Sequence, residues 1–168
     1  MKKIILIVPV LFTVFAAVAQ FNAKMPVVVA PKFKKDTTNI KKFGAVPDGN
    51  TLNTKAINNA IDAANKKGGG VVLVPAGLWL TGPVVLKSNV NLHLAAGATL
   101  LFTDDKSQYP LVKANYEGLP QMRNQSPISA TGVSNIAITG KGIIDGQGRE
   151  LALAIDSLHH TGVRIDPN

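Results

Sequence analysis

From Gly70 onward the chain falls into very short apolar runs, each closed by Gly, Pro or Asn, and this spacing constrains the fold more than any other feature. The runs are residues 71–74, 78–80, 84–86, 90–94, 99–102, 128–130, 136–139 and 143–144. With no second helical stripe between them, such short strands first suggest a sandwich or a meander. The register argues otherwise. Placing Val72-Leu73-Val74 on Leu92-His93-Leu94 gives a step of 20 residues. Placing Leu92-His93-Leu94 on Ile136-Ala137-Ile138 gives 44, two further steps of 22. Small residues follow each run: Pro75-Ala76-Gly77, Ala95-Ala96-Gly97 and Gly140-Lys141-Gly142. Units of about 20–22 residues with two or three strands each cannot bury a face alone, so stacking must build the core. The pattern therefore predicts an all-β solenoid, interrupted from Asp104 to Gln125 by a loop projecting from its side. Leucine-rich repeats fit worse, because only Leu92, Leu94 and Leu100 come near their fixed offsets.

One helix is expected ahead of the repeats. Ala56, Ile57, Ala60, Ile61 and Ala64 form an apolar stripe at helical spacing, with Asn53 or Thr54 able to cap it. Asp62 and the Asn and Lys residues form its wet face. Lys66 and Lys67 suit the negative end of the helix dipole, and Gly68-Gly69-Gly70 stops it. Such a helix can cap the first coil and protect a sheet edge that would otherwise template aggregation. Residues 39–45 read as a short strand, 46–50 as a turn, and 20–38 as a basic arm able to add one edge strand.

The N-terminus has the form of a secretory signal peptide: Lys2-Lys3, an apolar run from Ile4 to Val18, then the small residues Ala17-Val18-Ala19. Cleavage is expected between Ala19 and Gln20. The run is shorter than the roughly 20 residues of a membrane span, so no stable anchor is expected. This location also redistributes the net charge of +8. Two of the lysines lie in the signal segment, and Lys24, Lys32, Lys34, Lys35, Lys41 and Lys42 face only Asp36 within residues 20–42. From Phe43 onward 10 basic residues meet 9 acidic ones. The basic character belongs to a solvated, partly flexible arm without interleaved aromatics, which argues against a nucleic-acid partner. With no cysteine, the chain has no disulfide, thiolate metal site or cysteine nucleophile.

Five ordered blocks then carry a resemblance. They are residues 39–61, including Phe43-Gly44-Ala45-Val46-Pro47-Asp48-Gly49; residues 68–77, ending Val74-Pro75-Ala76-Gly77; residues 81–94, opening Thr81-Gly82-Pro83; residues 96–105; and residues 135–148, with Ile144-Asp145-Gly146-Gln147-Gly148. Together they resemble the pectin-lyase-like superfamily and, within it, polygalacturonase-type glycosidases of glycoside hydrolase family 28. The resemblance implies a right-handed parallel β-helix with an N-terminal capping α-helix, extending over residues 39–168. It also implies inverting hydrolysis of an acidic plant polysaccharide, pectin or galacturonan, with no cofactor, by a protein monomeric at full length, and the signal peptide makes it secreted or periplasmic. An aspartic acid protonates the leaving oxygen while a second carboxylate activates water across the ring.

In that family the catalytic groups lie in Asn-Thr-Asp, Asp-Asp, Gly-His-Gly and Arg-Ile-Lys motifs on later coils. Here Asp104-Asp105 precedes the last block, Asn53-Thr54-Lys55 lacks the carboxylate, His159-His160 lacks flanking glycines, and Arg164-Ile165-Asp166 ends in an acid. None is assigned to catalysis and no metal site is expected. Asp104 and Asp105 read as solvated loop acids, with a cleft rim or weak calcium site as the alternative. His93 should face away from the core, Trp79 should pack within a coil, and Asp145 should bond amides of its own turn. His159 and His160 read as surface residues. No phosphate-binding glycine pattern occurs. A stack ending at residue 168 is expected to be the N-terminal part of a longer glycosidase, inactive by itself. A lyase of the same superfamily and a non-catalytic carbohydrate-binding solenoid are the alternatives.

Overall fold

Along the strands at residues 70–74, 90–94 and 98–102 buried side chains alternate with partly exposed ones, and the buried ones stack directly on one another from coil to coil. The computed structural model describes Val27, residues 29–149 and Leu153. The expected cleavage site at Ala19 and Gln20, and His159, His160 and Arg164 to Asp166, lie outside the described residues. Strand β1 (Thr37–Asn39) and helix α1 (Thr54–Lys66) are followed by β2 (Gly70–Val74), β3 (Gly77–Thr81) and β4 (Val84–Val85). Next come β5 (Val90–Leu94) and β6 (Ala98–Phe102), then a hairpin of β7 (Leu111–Tyr116) and β8 (Leu119–Asn124). The chain continues through β9 (Ile128–Ser129), β10 (Ala137–Gly140) and β11 (Ile143–Asp145). The sheets run β1-β2-β5-β10, β3-β6-β11 and β4-β9, all parallel.

The first coil is thus β2, β3 and β4, the second is β5, β6 and β9, and the third begins with β10 and β11. Val72 lies on Leu92, Val74 on Leu94, Trp79 on Leu100 and Thr81 on Phe102. All eight of these side chains are buried. Full burial of each large apolar one contributes about 1.5–3 kcal/mol before the entropy of ordering is counted. The step of 20 from β2 to β5 is therefore as predicted.

The next step is not. Ile138, not Ile136, lies opposite Leu92, a step of 46, and β10 bonds to β5 with no coil between them. The hairpin β7–β8 fills the extra length, entering the second coil between its second and third walls. Turns absorb inserted residues while strand pairing holds the register. Because the error is an even number of residues, the expected inward and outward faces are unchanged. The lateral segment is correspondingly an antiparallel hairpin with Val112 opposite Arg123, and not a loop alone.

Helix α1 buries Ala56, Ile57, Ala60, Ile61 and Ala64 against β1, β2, β4 and β5, closing the end of the stack. Its chain reverses where Gly68, at φ +84°, lets the Gly69 N–H reach the Ala64 carbonyl at 2.9 Å. The expected wet face is only partly wet. Asn58 donates to the Pro83 carbonyl and accepts from the Val85 N–H, both at 2.9 Å, and Asn65 donates to the Ser88 carbonyl at 2.9 Å. These amides fasten the helix to the turns of the first coil. Asp62 instead meets Lys87 at 3.9 Å in an exposed pair.

Asn53 stands at the helix N-cap but its side chain caps nothing. It is buried, accepts from the Val46 N–H at 2.7 Å, and donates to the carbonyls of Val46, Thr51 and Leu80 at 3.0, 2.8 and 3.2 Å. The expected strand over residues 39–45 is not formed beyond Asn39, the last residue of β1: Asn39 caps a 3-10 turn at Ile40–Phe43, and Gly44 ends it at φ +87°. Burying Ile40 completely is what this turn achieves. The strand lies just before it, where β1 pairs with β2.

The described part of the arm is more firmly held than its charge suggests. Lys32 exchanges two hydrogen bonds with the Asn135 side chain, at 3.1 and 2.8 Å, and the Lys34 ammonium donates to the Lys67 carbonyl at 2.9 Å. Asn135 also donates to Asn89 at 2.9 Å. Both asparagines sit at positive φ, 54° and 63°, in equivalent turns of successive coils, so an amide ladder runs up this corner.

The turn at residues 46–51 is fixed by one carboxylate. Asp48 accepts from the N–H groups of Asn50 and Thr51 at 2.9 and 2.7 Å, and from the Thr51 hydroxyl at 2.6 Å. The Thr51 hydroxyl, then the two amides, draw its pKa down from 3.8 to about 2. A depressed folded value means that the stabilisation is complete above the unfolded value and lost as pH falls through the folded one. Carboxyl-detected NMR titration should therefore place the Asp48 midpoint near 2, with the turn loosening between pH 4 and 2. A midpoint at 3.8 would refute this arrangement.

Candidate functional site

Of the three carboxylates that drew attention in the sequence, Asp105 and Asp145 are occupied by their own turns. Asp105 accepts from the Ser107 N–H at 2.9 Å, the Ser107 hydroxyl at 2.8 Å and the Gln108 amide at 3.1 Å, capping a 3-10 turn at Lys106–Gln108. The Ser107 hydroxyl, with Gln108 and the Ser107 amide, holds its pKa below the usual carboxylate value. Asp145 accepts from the Gln147 N–H at 2.9 Å, as expected. Asp104 is exposed beside Tyr109. A donor set already satisfied by its own backbone offers little to a cation. Among the described residues no three His, Asp or Glu side chains converge as metal ligands.

His93 points outward, its Nδ1 lying 2.9 Å from the Thr139 hydroxyl, and that hydroxyl donates to Asn91 at 2.9 Å. It belongs to a polar ladder on the outer face of the coils. Trp79 is fully buried, with its indole N–H donating to the Pro75 carbonyl at 2.7 Å. The Lys41 ammonium lies 5.8 Å from the ring centroid. His93 faces outward as the alternation predicts, and Trp79 packs within the coil as expected.

What the sequence did not single out is a cavity of about 500 Å³ at the foot of the hairpin. Thr103, Lys106 and Tyr109 line it from the coil side, Val112 and Arg123 from the hairpin, and Gly146 from the turn after β11. The register explains the hairpin's contribution, since Val112 and Arg123 are directly opposed and share a face. The floor is braced by local bonds. Tyr109 donates its hydroxyl to the Thr103 carbonyl at 2.7 Å, and burial followed by the charge of Asp104 raises the phenol pKa. Gln147 donates to the Phe102 carbonyl at 2.7 Å, tying the turn after β11 to the end of β6.

Lys106 is the unusual member. Its Nζ is buried and has no hydrogen-bond partner. An ammonium in that state carries an uncompensated desolvation cost. Sequence offered no signal for it, because lysine next to Asp104-Asp105 reads as an ordinary loop charge.

Parallel coils that stack in register, closed by a terminal helix and carrying a lateral hairpin, define a right-handed parallel β-helix, the fold that the structural neighbours share. Residues 37–163 match the rhamnogalacturonase A/epimerase, pectate lyase-like family, and the chain belongs to it. The exo-poly-α-D-galacturonosidase of Dickeya chrysanthemi is 40% identical over 158 residues, covering 89% of this chain and 26% of that protein. The exopolygalacturonase of Thermotoga maritima superposes with a TM-score of 0.66 at 38% identity, over 71% of this chain and 27% of that one. The family 28 exopolygalacturonase of Yersinia enterocolitica gives 0.61 at 41%, over 67% and 21%. The resemblance to polygalacturonase-type glycosidases is thereby borne out. The chain spans about a quarter of the length of the curated relatives it matches.

Proposed function

We propose that this chain forms the first coils of a pectin-degrading glycosidase that hydrolyses galacturonan-type polysaccharide with inversion. The observation that carries the reading is the 40% identity, across 89% of the chain, to an exo-poly-α-D-galacturonosidase. The segment from Met1 to Ala19 supports export, to the periplasm or beyond, and an acidic plant polysaccharide is met outside the cytoplasm.

Inverting hydrolysis needs a carboxylic acid at the leaving oxygen and a carboxylate far enough away to admit a water, about 6.5–9.5 Å. Asp48, Asp105 and Asp145 are each occupied by the turn that contains them. These coils therefore contribute the scaffold and one wall of the binding region, and the chain by itself is inactive. A second reading, lyase or epimerase chemistry on the same polymer class, is favoured by the family's breadth, which joins a rhamnogalacturonase, an epimerase and pectate-lyase-like proteins.

Polygalacturonate separates these readings. The full gene product is expected to release new reducing ends without near-ultraviolet absorbance, and the 168-residue chain to release none. Unsaturated, absorbing products would instead establish a lyase. A changed uronate configuration without chain cleavage would establish an epimerase.

A further inference from the structure

We infer that the helix-capped end of the solenoid is a docking face for an anionic lipid surface, with exposed lysines as the groups that meet it. Residues 30–67 hold eight lysines against three aspartates, whereas residues 68–149 hold six basic residues against four acidic ones. The fold gathers that excess at one end. Helix α1 buries one stripe against the coils, so the opposite stripe, with Lys55, Asn59 and Lys66, faces away from the stack. The Lys34 ammonium sits on the Lys67 carbonyl at the end of the helix. The 3-10 turn bearing Lys41 and Lys42 packs against the same helix. Asp62 is the one acid on α1, and it pairs with Lys87 of the first coil. Lys42, Lys55, Lys66 and Lys67 are exposed and make no ion pair among the described residues.

The spread of this charge fits a surface and not a small ligand. Lys55 and Lys66 stand about 16 Å apart along the helix, more than one phosphate or carboxylate can bridge. Every cation of the cap is a lysine, since the first arginine of the chain is Arg123. Lysine meets an anion as a point charge on a flexible stem, without the fixed fork that selects one bound geometry. Two apolar side chains accompany the charge: Val46 and Leu52, on the segment leading into α1, are each 42% exposed. Cations with a few exposed apolar tips suit the headgroup region of an anionic bilayer. A single-stranded polyanion calls for exposed aromatic platforms, whereas Phe43 and Trp79 are packed into the core beneath the cap. Held by this end, the solenoid would leave the outer faces of its coils and its hairpin clear of the bilayer. The inference goes beyond the glycosidase reading and does not depend on it.

The test is cosedimentation of the chain from Gln20 onward, which keeps every described residue and omits the apolar leader. Vesicles of phosphatidylcholine alone are compared with vesicles of phosphatidylcholine mixed with phosphatidylglycerol. Binding should be at least about tenfold tighter to the anionic vesicles and should vanish in about 1 M salt, where charges are screened within about 3 Å. Lys55→Gln with Lys66→Gln should weaken it by about tenfold or more. Lys113→Gln with Lys141→Gln makes the same change in net charge at exposed positions on the hairpin and after β10, and should leave it within about twofold. Both double variants should keep the parent's melting temperature, because these side chains lie on the surface.

Equal binding to neutral vesicles, or none to anionic ones, would overturn the inference. An equal loss in the two double variants would reduce the effect to net charge and remove the role of the cap. Tighter binding to polygalacturonate or to a DNA duplex than to anionic vesicles would replace the lipid by a polymer. Cleavage of polygalacturonate by the full gene product bears on none of these outcomes, so the glycosidase and the docking face stand or fall separately.

Discussion

Trp79→Ala is expected to lower the stability of the solenoid by about 3–5 kcal/mol, a large share of the roughly 5–15 kcal/mol that holds a domain of ordinary size together. Trp79 is fully buried on the inward face of β3, directly below Leu100 of the next coil. Its loss leaves a cavity between two coils that strand pairing prevents from closing, because the spacing of stacked strands is set by backbone hydrogen bonds. The Pro75 carbonyl loses the indole donor at the same time. Trp79→Phe should cost less than half as much, since it keeps most of the ring and gives up the hydrogen bond. Urea unfolding followed by far-ultraviolet circular dichroism measures both without relying on the lost tryptophan fluorescence. A loss below about 1 kcal/mol in the alanine variant would mean that the coils collapse onto the vacancy, contrary to the rigid stack described here.

Asn53→Asp is expected to do comparable damage with almost no change in shape. The Asn53 amide nitrogen faces the carbonyl oxygens of Val46, Thr51 and Leu80 at 2.8–3.2 Å, while its oxygen accepts from Val46. Aspartate replaces that donor with a negative oxygen aimed at three others, in a position 1% exposed. A cost of about 3–5 kcal/mol at neutral pH follows from leaving a charge buried against like dipoles. The carboxyl's folded pKa would be raised above its unfolded value near 4. Below that value both states are neutral and the acid can still donate one bond. The deficit should therefore be small in acid and grow as pH rises above about 4. Asn53→Ala, which removes the bonds without adding charge, should show a deficit independent of pH. Denaturant titrations at pH 3.5, 5 and 7 give the comparison, and a flat profile for the aspartate variant would sink the argument.

The asparagines show how differently sequence and structure weigh the same residues. At the sequence level Asn53 is one of two possible helix caps and Asn58 and Asn65 are wet-face residues. In the fold, Asn53 locks the approach to the helix, while Asn58 and Asn65 fasten the helix to the first coil. Side-chain amides bond whatever backbone group the tertiary arrangement offers, so no local pattern announces the partner. One tertiary register is legible in the sequence. Ser88-Asn89 and Ser134-Asn135 recur 46 residues apart, the true step from β5 to β10. The structure stacks them, with the Ser134 N–H on the Ser88 hydroxyl at 3.1 Å and Asn135 on Asn89 at 2.9 Å. Apolar runs can slip by two residues without changing faces. A turn residue held at positive φ cannot.

Alternation within each short run determined the inward side chains from sequence alone. Val72, Leu92, Leu94 and Leu100 point where their parity places them, and His93 points away. The spacing of the first runs determined that the strands stack as coils, because a unit so short has no other way to cover its apolar face. The helix and its glycine stop were equally local. Tertiary structure decided what depends on insertion and approach: that the lateral segment is a hairpin, and that β10 follows β5 directly. It alone brought β8 and the turn after β11 together around one cavity. The core is written in sequence because burial there follows a short period. The cavity is not, because it forms only where segments distant in the chain meet.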